Sequence, residues 1–403
     1  MIPVAEALSQ VVGNVRETCN EQVALSDALG RVLAIEVTAR LTQPWADVSA
    51  MDGYAVRAED VANATKGPVT LTVIGESPAG GSFDGAVGPG EAVRIFTGAP
   101  VPEGADAIVI QEDTERGQKL GADRVKVLQS APAAKFIRPA GLDFKTGDVL
   151  LKAGRVLNAR DLGLAAAANV PWLQVKRRPR IAIIATGNEV VMPGDALGPN
   201  QIVSSNSVML GAYVKSLGAE PLDLGIARDD EASLKRLIHS ASEADLLVTI
   251  GGASVGDYDL VNQVLGNEGV DLGFYKVAMR PGKPLIFGHL HGTPVLGLPG
   301  NPVSVGVTSA IFLAPAILAM LGLDPATTRE TARLGVDLGE NDQRQDYLRA
   351  TMNSGDDGET IATPFSKQDS AMLARFTDAD CLVIRAPFAP PIKAGDEVEI
   401  IRL

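Results

Sequence analysis

The sequence is poor in the residue types that build disulfide frameworks and many metal sites. Its 403 residues include 2 cysteines and 3 histidines, and aromatic residues make up 4% of the chain. Cys19 and Cys381 are too few for a disulfide framework, which favours a reducing compartment and predicts a cytoplasmic protein. The histidines, His239, His289 and His291, lack metal-ligand spacing with cysteine or carboxylate. With so few aromatic residues, the core must consist chiefly of Val, Ile, Leu and Ala.

Positive charge is also scarce. The chain has 36 Lys and Arg against 49 Asp and Glu, a net charge of −13. Binding to duplex nucleic acid needs a basic footprint, so nucleic acid is not expected as a partner. A small anionic substrate met by a local basic patch or a metal remains compatible with this charge. A Ser-His-Asp motif, a Walker A loop and the six-residue dinucleotide glycine fingerprint are all missing.

The sequence offers little that would place the chain in a membrane. Residues 1–6 have neither the basic nor the apolar region of a signal peptide. The longest apolar stretch, residues 303–321, is interrupted by three hydroxyl side chains and by Pro315. We therefore predict a buried helix there, and not a transmembrane span.

Changes of pattern along the chain indicate several domains, as a length of about 150 residues per domain also suggests. Residues 3–34 have helical periodicity, and residues 143–176 are mixed and Ala-rich. Between them, residues 41–142 show short alternating runs separated by Gly/Pro turns, which predicts an inserted β domain. Residues 180–323 alternate strand and helix patterns, which predicts a parallel sheet with helices on both faces. Residues 326–403 return to β patterns.

Residues 246–256 form the most informative segment. They read Leu-Leu-Val-Thr-Ile-Gly-Gly-Ala-Ser-Val-Gly, and a helical pattern begins near Asp259. This predicts a strand, a tight turn and a helix N-terminus, whose free N–H groups and dipole suit an anion. Asp245, Asp257 and Asp259 flank the turn, so the sequence predicts a site for a phosphate together with a cation.

Polar residues follow two other predicted strands of this sheet. Residues 186–189 read Thr-Gly-Asn-Glu, and residues 226–230 read Ile-Ala-Arg-Asp-Asp. The carboxyl ends of parallel strands meet at one edge, so these side chains are expected to converge. Carboxylates beside a phosphate repel it unless a cation such as Mg²⁺ lies between them. Helix capping explains each acid about as well, and Asp230 in particular is expected to be a simple cap.

Two Pro/Gly loops lie around successive strands in the second half of this region. Residues 279–284 read Met-Arg-Pro-Gly-Lys-Pro, and with Lys276 nearby they concentrate positive charge through Arg280 and Lys283. Such a local basic patch suits an anionic substrate, although a solvated turn is the simpler alternative. Residues 297–304, Gly-Leu-Pro-Gly-Asn-Pro-Val-Ser, lead into the long apolar helix. Both loops are expected to line one wall of a cleft.

Seven motifs, in order along nearly the whole chain, resemble those of the molybdopterin molybdenumtransferases, a family that includes the gephyrin E domain. Three of them begin in the β insert, and at the first of these, Asp52-Gly53, the residues alone suggest only an ordinary turn. The motifs occupy residues 49–55, 97–102, 138–143, 186–189, 251–256, 281–284 and 297–302.

The resemblance implies a multidomain α/β plus β fold in four parts. These are an elongated domain (1–40 and 143–176), the inserted β domain (41–142), a three-layer parallel-sheet molybdopterin-binding domain (177–324) and a C-terminal β-barrel-like domain (325–403). It also implies a homodimer whose active site joins the α/β domain of one subunit to the β insert of the other. The implied reaction takes adenylylated molybdopterin and molybdate and gives molybdenum cofactor and AMP. Mg²⁺ is its implied cofactor, and an adenylyltransferase is an implied upstream partner.

Carried over position by position, the resemblance implies three sets of site residues. The catalytic set is Asp52, Thr97, Asp143, Asp229 and Asp259. The substrate-binding set is Gly251, Gly252, Ser254, Lys276, Arg280, Lys283, Pro299 and Pro302. The metal set is Glu189, Asp229 and Asp259.

The chain departs from the family pattern at two positions. Asn188 stands where Asp is common, and Arg280 stands where Lys is common, which keeps the charge but changes the donor geometry. Asp257 and Asp259 are two candidates for one acid, and the register favours Asp259. A molybdopterin carrier without turnover, or a scaffold protein, is the alternative to a transferase.

Overall fold

The computed structural model describes residues 1–116, 121, 123–251, 271–355 and 358–403. The described chain forms two units. The larger unit contains residues 1–21, 30–32 and 175–403, and the smaller unit contains residues 22–29 and 33–174. The division into four domains at the boundaries given above stays a prediction.

The larger unit is built on a six-stranded mixed sheet. The predicted parallel arrangement is confirmed for the first four strands in spatial order, and the fifth strand is antiparallel to both of its neighbours. Thr293–Leu298 and Pro284–Leu290 are antiparallel because only His291 and Gly292 connect them, both with positive φ (50° and 91°), and so short a connection makes a hairpin. The strands, in spatial order, are Glu220–Ala227, Arg180–Thr186, Leu246–Ile250, Thr293–Leu298, Pro284–Leu290 and Asp271–Lys276.

Helices cover both faces of this sheet, which gives three layers. Along Arg180–Thr186, Ile181 and Ile183 pack into one apolar cluster, and Ala182 and Ile184 pack into another on the opposite face. This follows from the two-residue period of a strand. The principal helices of the unit are Val4–Gly13, Ser205–Ser216, Glu231–Ser240 and Pro302–Met320, the last with a π-helical segment at Ser309–Leu313.

The long apolar helix is a core element. Pro302–Met320 is long and apolar enough to cross a membrane, but 83% of its most apolar window is buried inside the protein. Its side chains belong to the same cluster as Val4, Val11 and Leu296. The prediction of a buried helix is therefore confirmed.

Five C-terminal strands form a closed barrel. Closure comes from Gln345–Ser354, which pairs with Thr360–Pro364 on one side and Cys381–Arg385 on the other. Met279–Arg280, from the Pro/Gly loop of the α/β region, pairs in parallel with Gln345 and Asp346. The barrel thus holds a loop that sequence analysis placed at the site. The other barrel strands are Glu330–Leu334 and Glu397–Arg402, and a short helix lies at Leu373–Thr377.

The smaller unit contains a second six-stranded sheet, as predicted for the β insert. In spatial order its strands are Ala107–Ile110, Gly53–Val56, Glu91–Ile95, Val69–Ser77, Arg124–Val127 and Thr114–Glu115. Two-stranded pairs join Val48–Ser49 to Ile137–Arg138 and Val37–Thr38 to Val149–Leu151. The helices are Ala58–Val61 and Ala159–Ala167, and the remaining short strands of the chain are Asn20–Ala24, Trp172–Lys176, Val190–Val191 and Ile202–Val203.

The helical prediction for residues 3–34 is wrong beyond the first helix. Val4–Gly13 is helical, but Asn20–Ala24 is a strand and Leu25–Asp27 is a single 3-10 turn. Asn20–Ala24 pairs with Trp172–Lys176, and Gly30 has a φ of +71°. Pairing with a strand distant in sequence therefore overrides the local helical pattern. Leu29, an apolar residue of the predicted helical segment, is 60% exposed.

The helix Ala159–Ala167 begins with a capping box that yields a pH-dependent prediction. Asn158 accepts from the backbone N–H of Asp161, and Asp161 accepts from the N–H of Asn158. Burial raises the pKa of Asp161, but hydrogen bonds from Arg155 and the Asn158 backbone outweigh it and lower the pKa below its usual 3.8. Its stabilising effect is therefore present above that value and lost as the pH falls through the folded pKa.

We expect Asp161→Asn to destabilise the smaller unit by about 1–2 kcal/mol near neutral pH. Trp45 and Trp172, the 2 tryptophans of the chain, both lie in this unit, so urea unfolding followed by tryptophan fluorescence reports on it. The difference between the variant and the parent protein should shrink as the pH falls below 3.8, the usual pKa of an aspartate. A difference independent of pH would contradict the assignment of this effect to the carboxylate.

Candidate functional site

A cleft of about 830 Å³ opens in the larger unit where the parallel strands end. This is the edge at which sheets of this kind bind ligands. It is lined by residues that follow three parallel strands, by both Pro/Gly loops and by the start of the helix Ser205–Ser216. Arg344 and residues 368–370, from the C-terminal region, complete the lining. The convergence of strand ends expected from the sequence is confirmed.

Glu189 and Asp229 both line this cleft. Asp229 is fixed by a reciprocal pair of hydrogen bonds with Asn188: the Asn188 N–H donates to Asp229 Oδ2 (3.1 Å), and the Asp229 N–H donates to Asn188 Oδ1 (3.2 Å). Asparagine at position 188 keeps the acceptor oxygen that an aspartate would provide and removes its charge. The departure from the family pattern therefore preserves the geometry of Asp229.

Asp230, the next residue in the chain, is a helix cap. Its carboxylate accepts from the backbone N–H of Ser233 at 2.7 Å and caps the helix Glu231–Ser240. The expectation of a simple cap is confirmed. Capping therefore accounts for Asp230, and it does not account for Asp229, which lines the cleft.

Gly251 ends the strand Leu246–Ile250 in a conformation that favours glycine. Its φ is +88°, and a Cβ atom there would lie 3.0 Å from Thr186 Oγ1. Thr186 in turn donates to the carbonyl of Ile250 (3.1 Å), and Gly300 packs against Gly251. Two strand ends and a Pro/Gly loop are thus held in close contact. Gly252, Ser254, Asp257 and Asp259 lie outside the described residues, and their predicted roles remain predictions.

Arg280 lines the cleft, but its guanidinium is already engaged by the barrel. It pairs with Asp346, donates to Asp342 Oδ2 (3.2 Å) and donates to Asn341 Oδ1 (3.2 Å). The side chain of Asp346 is 5% exposed. Arg280 therefore anchors its loop to the barrel, a contact that the sequence-based assignment to substrate alone did not include.

Lys283, Pro299 and Pro302 also line the cleft, in agreement with their predicted placement. The conformation of the loop depends on Gly282, which has a φ of +107°. Lys276 is not among the residues that line the cleft, and its Nζ lies 5.0 Å from the ring centroid of Tyr275. Lys283 therefore lies at the cleft, whereas Lys276 lies at the end of the edge strand Asp271–Lys276.

Sequence reasoning missed several residues of the cleft. Asn206 donates to the carbonyl of Gly300 (2.7 Å), and its Oδ1 is buried without a hydrogen-bond partner. Asn301 lies in a loop that is expected to line the cleft, but its hydrogen bond to Ser370 Oγ (2.7 Å) is not evident from the sequence. Arg344 supplies a further positive charge. These residues come from elements distant in sequence, and only the contact between the barrel and the loops reveals them.

Asp52, Thr97 and Asp143 belong to the smaller unit. Asp52 Oδ1 accepts from both the backbone N–H and the Oγ1 of Thr97, each at 2.8 Å. These two hydrogen bonds lower the pKa of Asp52, with a smaller contribution from the charge of Arg94. Asp143 is exposed, and its N–H donates to the Gln43 carbonyl (3.0 Å). Asp52 and Thr97 are therefore coupled, although 45 residues separate them in sequence.

The carboxylates of the cleft fit a magnesium ion as far as the structure describes them. In the described ranges, three or more His, Cys, Asp or Glu side chains do not gather closely enough to hold a metal by themselves. Mg²⁺, however, is commonly bound by one or two carboxylates together with substrate phosphates. Glu189 and Asp229 both line the cleft and carry oxygen donors of this kind.

Comparison with known proteins identifies three regions of the chain. Residues 2–169 match the MoeA N-terminal region (domain I and II), residues 182–319 match a probable molybdopterin binding domain, and residues 331–403 match the MoeA C-terminal region (domain IV). The chain is 38% identical to the molybdopterin molybdenumtransferase of Nostoc sp. over 95% of its own length and 88% of that protein. The chain belongs to the molybdopterin molybdenumtransferase family.

The chain is also similar to other members of the molybdopterin molybdenumtransferase family. The chain is 41% identical to molybdopterin molybdenumtransferase 2 of Mycobacterium tuberculosis, over 85% of the chain and 86% of that protein. It also superimposes on the molybdopterin biosynthesis MoeA protein of Pyrococcus horikosii with a TM-score of 0.86 and 34% identity, covering 100% and 99% of the two chains. The multidomain α/β plus β fold expected from the sequence is therefore confirmed.

Proposed function

We propose that this protein transfers molybdenum from molybdate to adenylylated molybdopterin and releases AMP. The observation that carries the proposal is the cleft itself, in which carboxylates and cationic side chains meet at the strand ends. Relatives that the chain matches over 85–99% of its length carry the name molybdopterin molybdenumtransferase. Fold alone does not define an activity, so the contents of the cleft are what support this one.

The cationic residues and the loops of the cleft bind different parts of the substrates. Lys283 and Arg344 supply positive charge to the cleft, which suits the molybdate oxyanion and the substrate phosphates. The turn that begins at Gly251 receives the pterin phosphate, as the sequence of residues 251–256 predicts. Pro299 and Pro302 provide a rigid wall. The substrate is held so that molybdate and the sulfur atoms it joins are close together.

Glu189 and Asp229 would hold Mg²⁺, with Asp259 as the predicted third carboxylate. The ion, when bound, neutralises charge on the phosphates next to the bond that breaks. Asn188 keeps Asp229 in place for this task through their two hydrogen bonds. Asp52, Thr97 and Asp143 complete the site from the β insert of a second subunit in a homodimer. The protein is proposed to act in the cytoplasm and to receive its substrate from an adenylyltransferase.

One assay separates the transferase from a carrier and from a scaffold. Purified protein is incubated with adenylylated molybdopterin and Mg²⁺, with or without molybdate, and AMP is measured. Molybdate-dependent AMP release is the expected result. Tight binding of the pterin without AMP release would indicate a carrier. Absence of both binding and release would indicate a scaffold protein.

A shared site makes a specific prediction for mixed dimers. Asp52→Ala on one chain and Asp229→Ala on the other leave one intact composite site in the heterodimer, if the two residues come from different subunits. We expect that heterodimer to recover up to about half of the parent activity, well above both single-variant homodimers. Differently tagged chains, purified by both tags, allow the measurement. If the heterodimer is no more active than the two homodimers, the shared site is wrong.

A further inference from the structure

Arg94 lies next to Asp52 and Thr97 in an arrangement that sequence analysis did not single out. It is the one charged residue in the run Ala92-Val93-Arg94-Ile95-Phe96. Its Cζ lies 5.1 Å from the ring centroid of Tyr54 and 4.9 Å from that of Phe96. Tyr54 is its neighbour on the adjacent antiparallel strand. Two aromatic rings thus hold the guanidinium in a defined position.

The same guanidinium is bound to the backbone that carries Asp52. Nη1 donates to the carbonyl of Gly53 (3.0 Å), and Nη2 donates to Gln111 Oε1 (2.8 Å). The Gln111 N–H donates in turn to the carbonyl of Asp52 (3.1 Å). The carbonyl groups of two consecutive residues, Asp52 and Gly53, are therefore held by Arg94 and by its partner Gln111.

This backbone has little freedom to move in compensation. A Cβ atom on Gly53 would lie 2.0 Å from the carbonyl oxygen of Val109, so the strands approach each other as closely as glycine permits. Both hydrogen bonds from Thr97 end on Oδ1 of Asp52, and neither uses Oδ2. Arg94 lies on the strand Glu91–Ile95, which leads to Thr97. Its hydrogen bond to the Gly53 carbonyl links this strand to the segment that carries Asp52.

We propose that Arg94 is a positioning residue, which holds the Asp52–Thr97 pair in the orientation that the transfer reaction requires. The inference rests on the proposed function, since it assumes that Asp52 takes part in that reaction. Lysine at this position would keep the charge and the contact with the rings, but it lacks the planar group that binds two acceptors at once. Glutamine would lose the charge as well.

A double-mutant cycle with Asp52 tests the proposal. We expect R94Q to lower kcat for AMP release by roughly 10- to 100-fold, because small displacements of reacting groups have effects of that size. R94K should retain intermediate activity. In the D52N background, R94Q should cause no further loss, because Arg94 acts through Asp52. R124Q, an exposed arginine of the same sheet, is the matched control and should match the parent protein.

A merely structural role predicts a different outcome. R94Q would then lower activity by the same factor whether or not D52N is present, and this would overturn the proposal. Parent-like activity of R94Q would overturn it too. Tryptophan fluorescence verifies that the smaller unit is folded in each variant, and the cycle is run with R94K if R94Q does not fold.

A second measurement does not depend on turnover. Selective labelling of threonine with ¹⁵N allows hydrogen exchange at the Thr97 amide, which donates to Asp52, to be followed by NMR. We expect R94Q to accelerate this exchange on the order of tenfold, with no change in R124Q. Unchanged exchange in R94Q would contradict the positioning role. If the parent protein releases no AMP, the proposed function fails, while this measurement still tests the link between Arg94 and Asp52.

Discussion

Asp229→Asn is expected to lower molybdate-dependent AMP release by roughly 100- to 1,000-fold, the range found when a group that stabilises transition-state charge is removed. The substitution keeps the size of the side chain and retains an oxygen that can accept from the Asn188 N–H. It removes one negative charge from the cleft, which Glu189 also lines. The loss would therefore reflect the charge, with the local backbone geometry preserved.

Asp230→Asn is the matched control, because it makes the same chemical change one residue further along the chain. Asparagine is also a good N-cap, so we expect the helix Glu231–Ser240 to lose at most a few tenths of a kcal/mol. AMP release should stay within about twofold of the parent protein. Titration of Mg²⁺ separates the causes: a weaker apparent affinity for Mg²⁺ in Asp229→Asn supports metal binding. Equal activities of the two variants would contradict the role of Asp229.

The second large effect is expected at Arg280. Arg280→Met removes the cation that faces the buried carboxylate of Asp346, whose Oδ1 already lacks a hydrogen-bond partner. Breaking a fully buried pair from one side costs about 3–5 kcal/mol. The Arg280 side chain is 46% exposed, so we expect a smaller loss of about 2 kcal/mol in the stability of the barrel. Differential scanning calorimetry measures this loss.

The partner substitution tests whether the effect belongs to the pair. Asp346→Asn in the Arg280→Met background should restore part of the lost stability, because the unpaired charge is then absent. Arg280→Lys should fall between the parent protein and Arg280→Met, since lysine cannot reproduce the contacts with Asp342 and Asn341 at the same time. Additive losses in the double variant would show that Arg280 and Asp346 do not stabilise the barrel as a pair.

The parts of the fold that local pattern controls could be predicted. The strand ends that form the cleft follow from alternating strand and helix patterns, and the cap at Asp230 follows from its place at a helix N-terminus. Non-local pairing could not be predicted in this way. The contacts of Arg280 with Asp346 and of Asn301 with Ser370 join residues 66 and 69 positions apart. Propensity also misled at residues 24–33, where Gly30 and strand pairing override a helical pattern.

In the candidate site, too, local pattern could be predicted from the sequence and non-local contacts could not. Each acidic residue taken alone was equally compatible with capping, and only the cleft separates Asp229 from Asp230. The roles of Asp52 and Thr97 came from the family resemblance, whereas their direct hydrogen bonds came from the structure. Arg94 gave no signal beyond one charge in an apolar strand, because its two hydrogen bonds and two ring contacts depend on the packing of neighbouring strands.

The most direct test of the account is to measure molybdenum in the pterin product. Adenylylated molybdopterin, molybdate, Mg²⁺ and the protein are incubated, the pterin is separated from free molybdate, and its molybdenum content is compared with the AMP released. We expect molybdenum and AMP to appear in equal amounts with the parent protein and both to be strongly reduced with Asp229→Asn. AMP released without incorporation of molybdenum, or a pterin that stays adenylylated in the presence of molybdate, would contradict it.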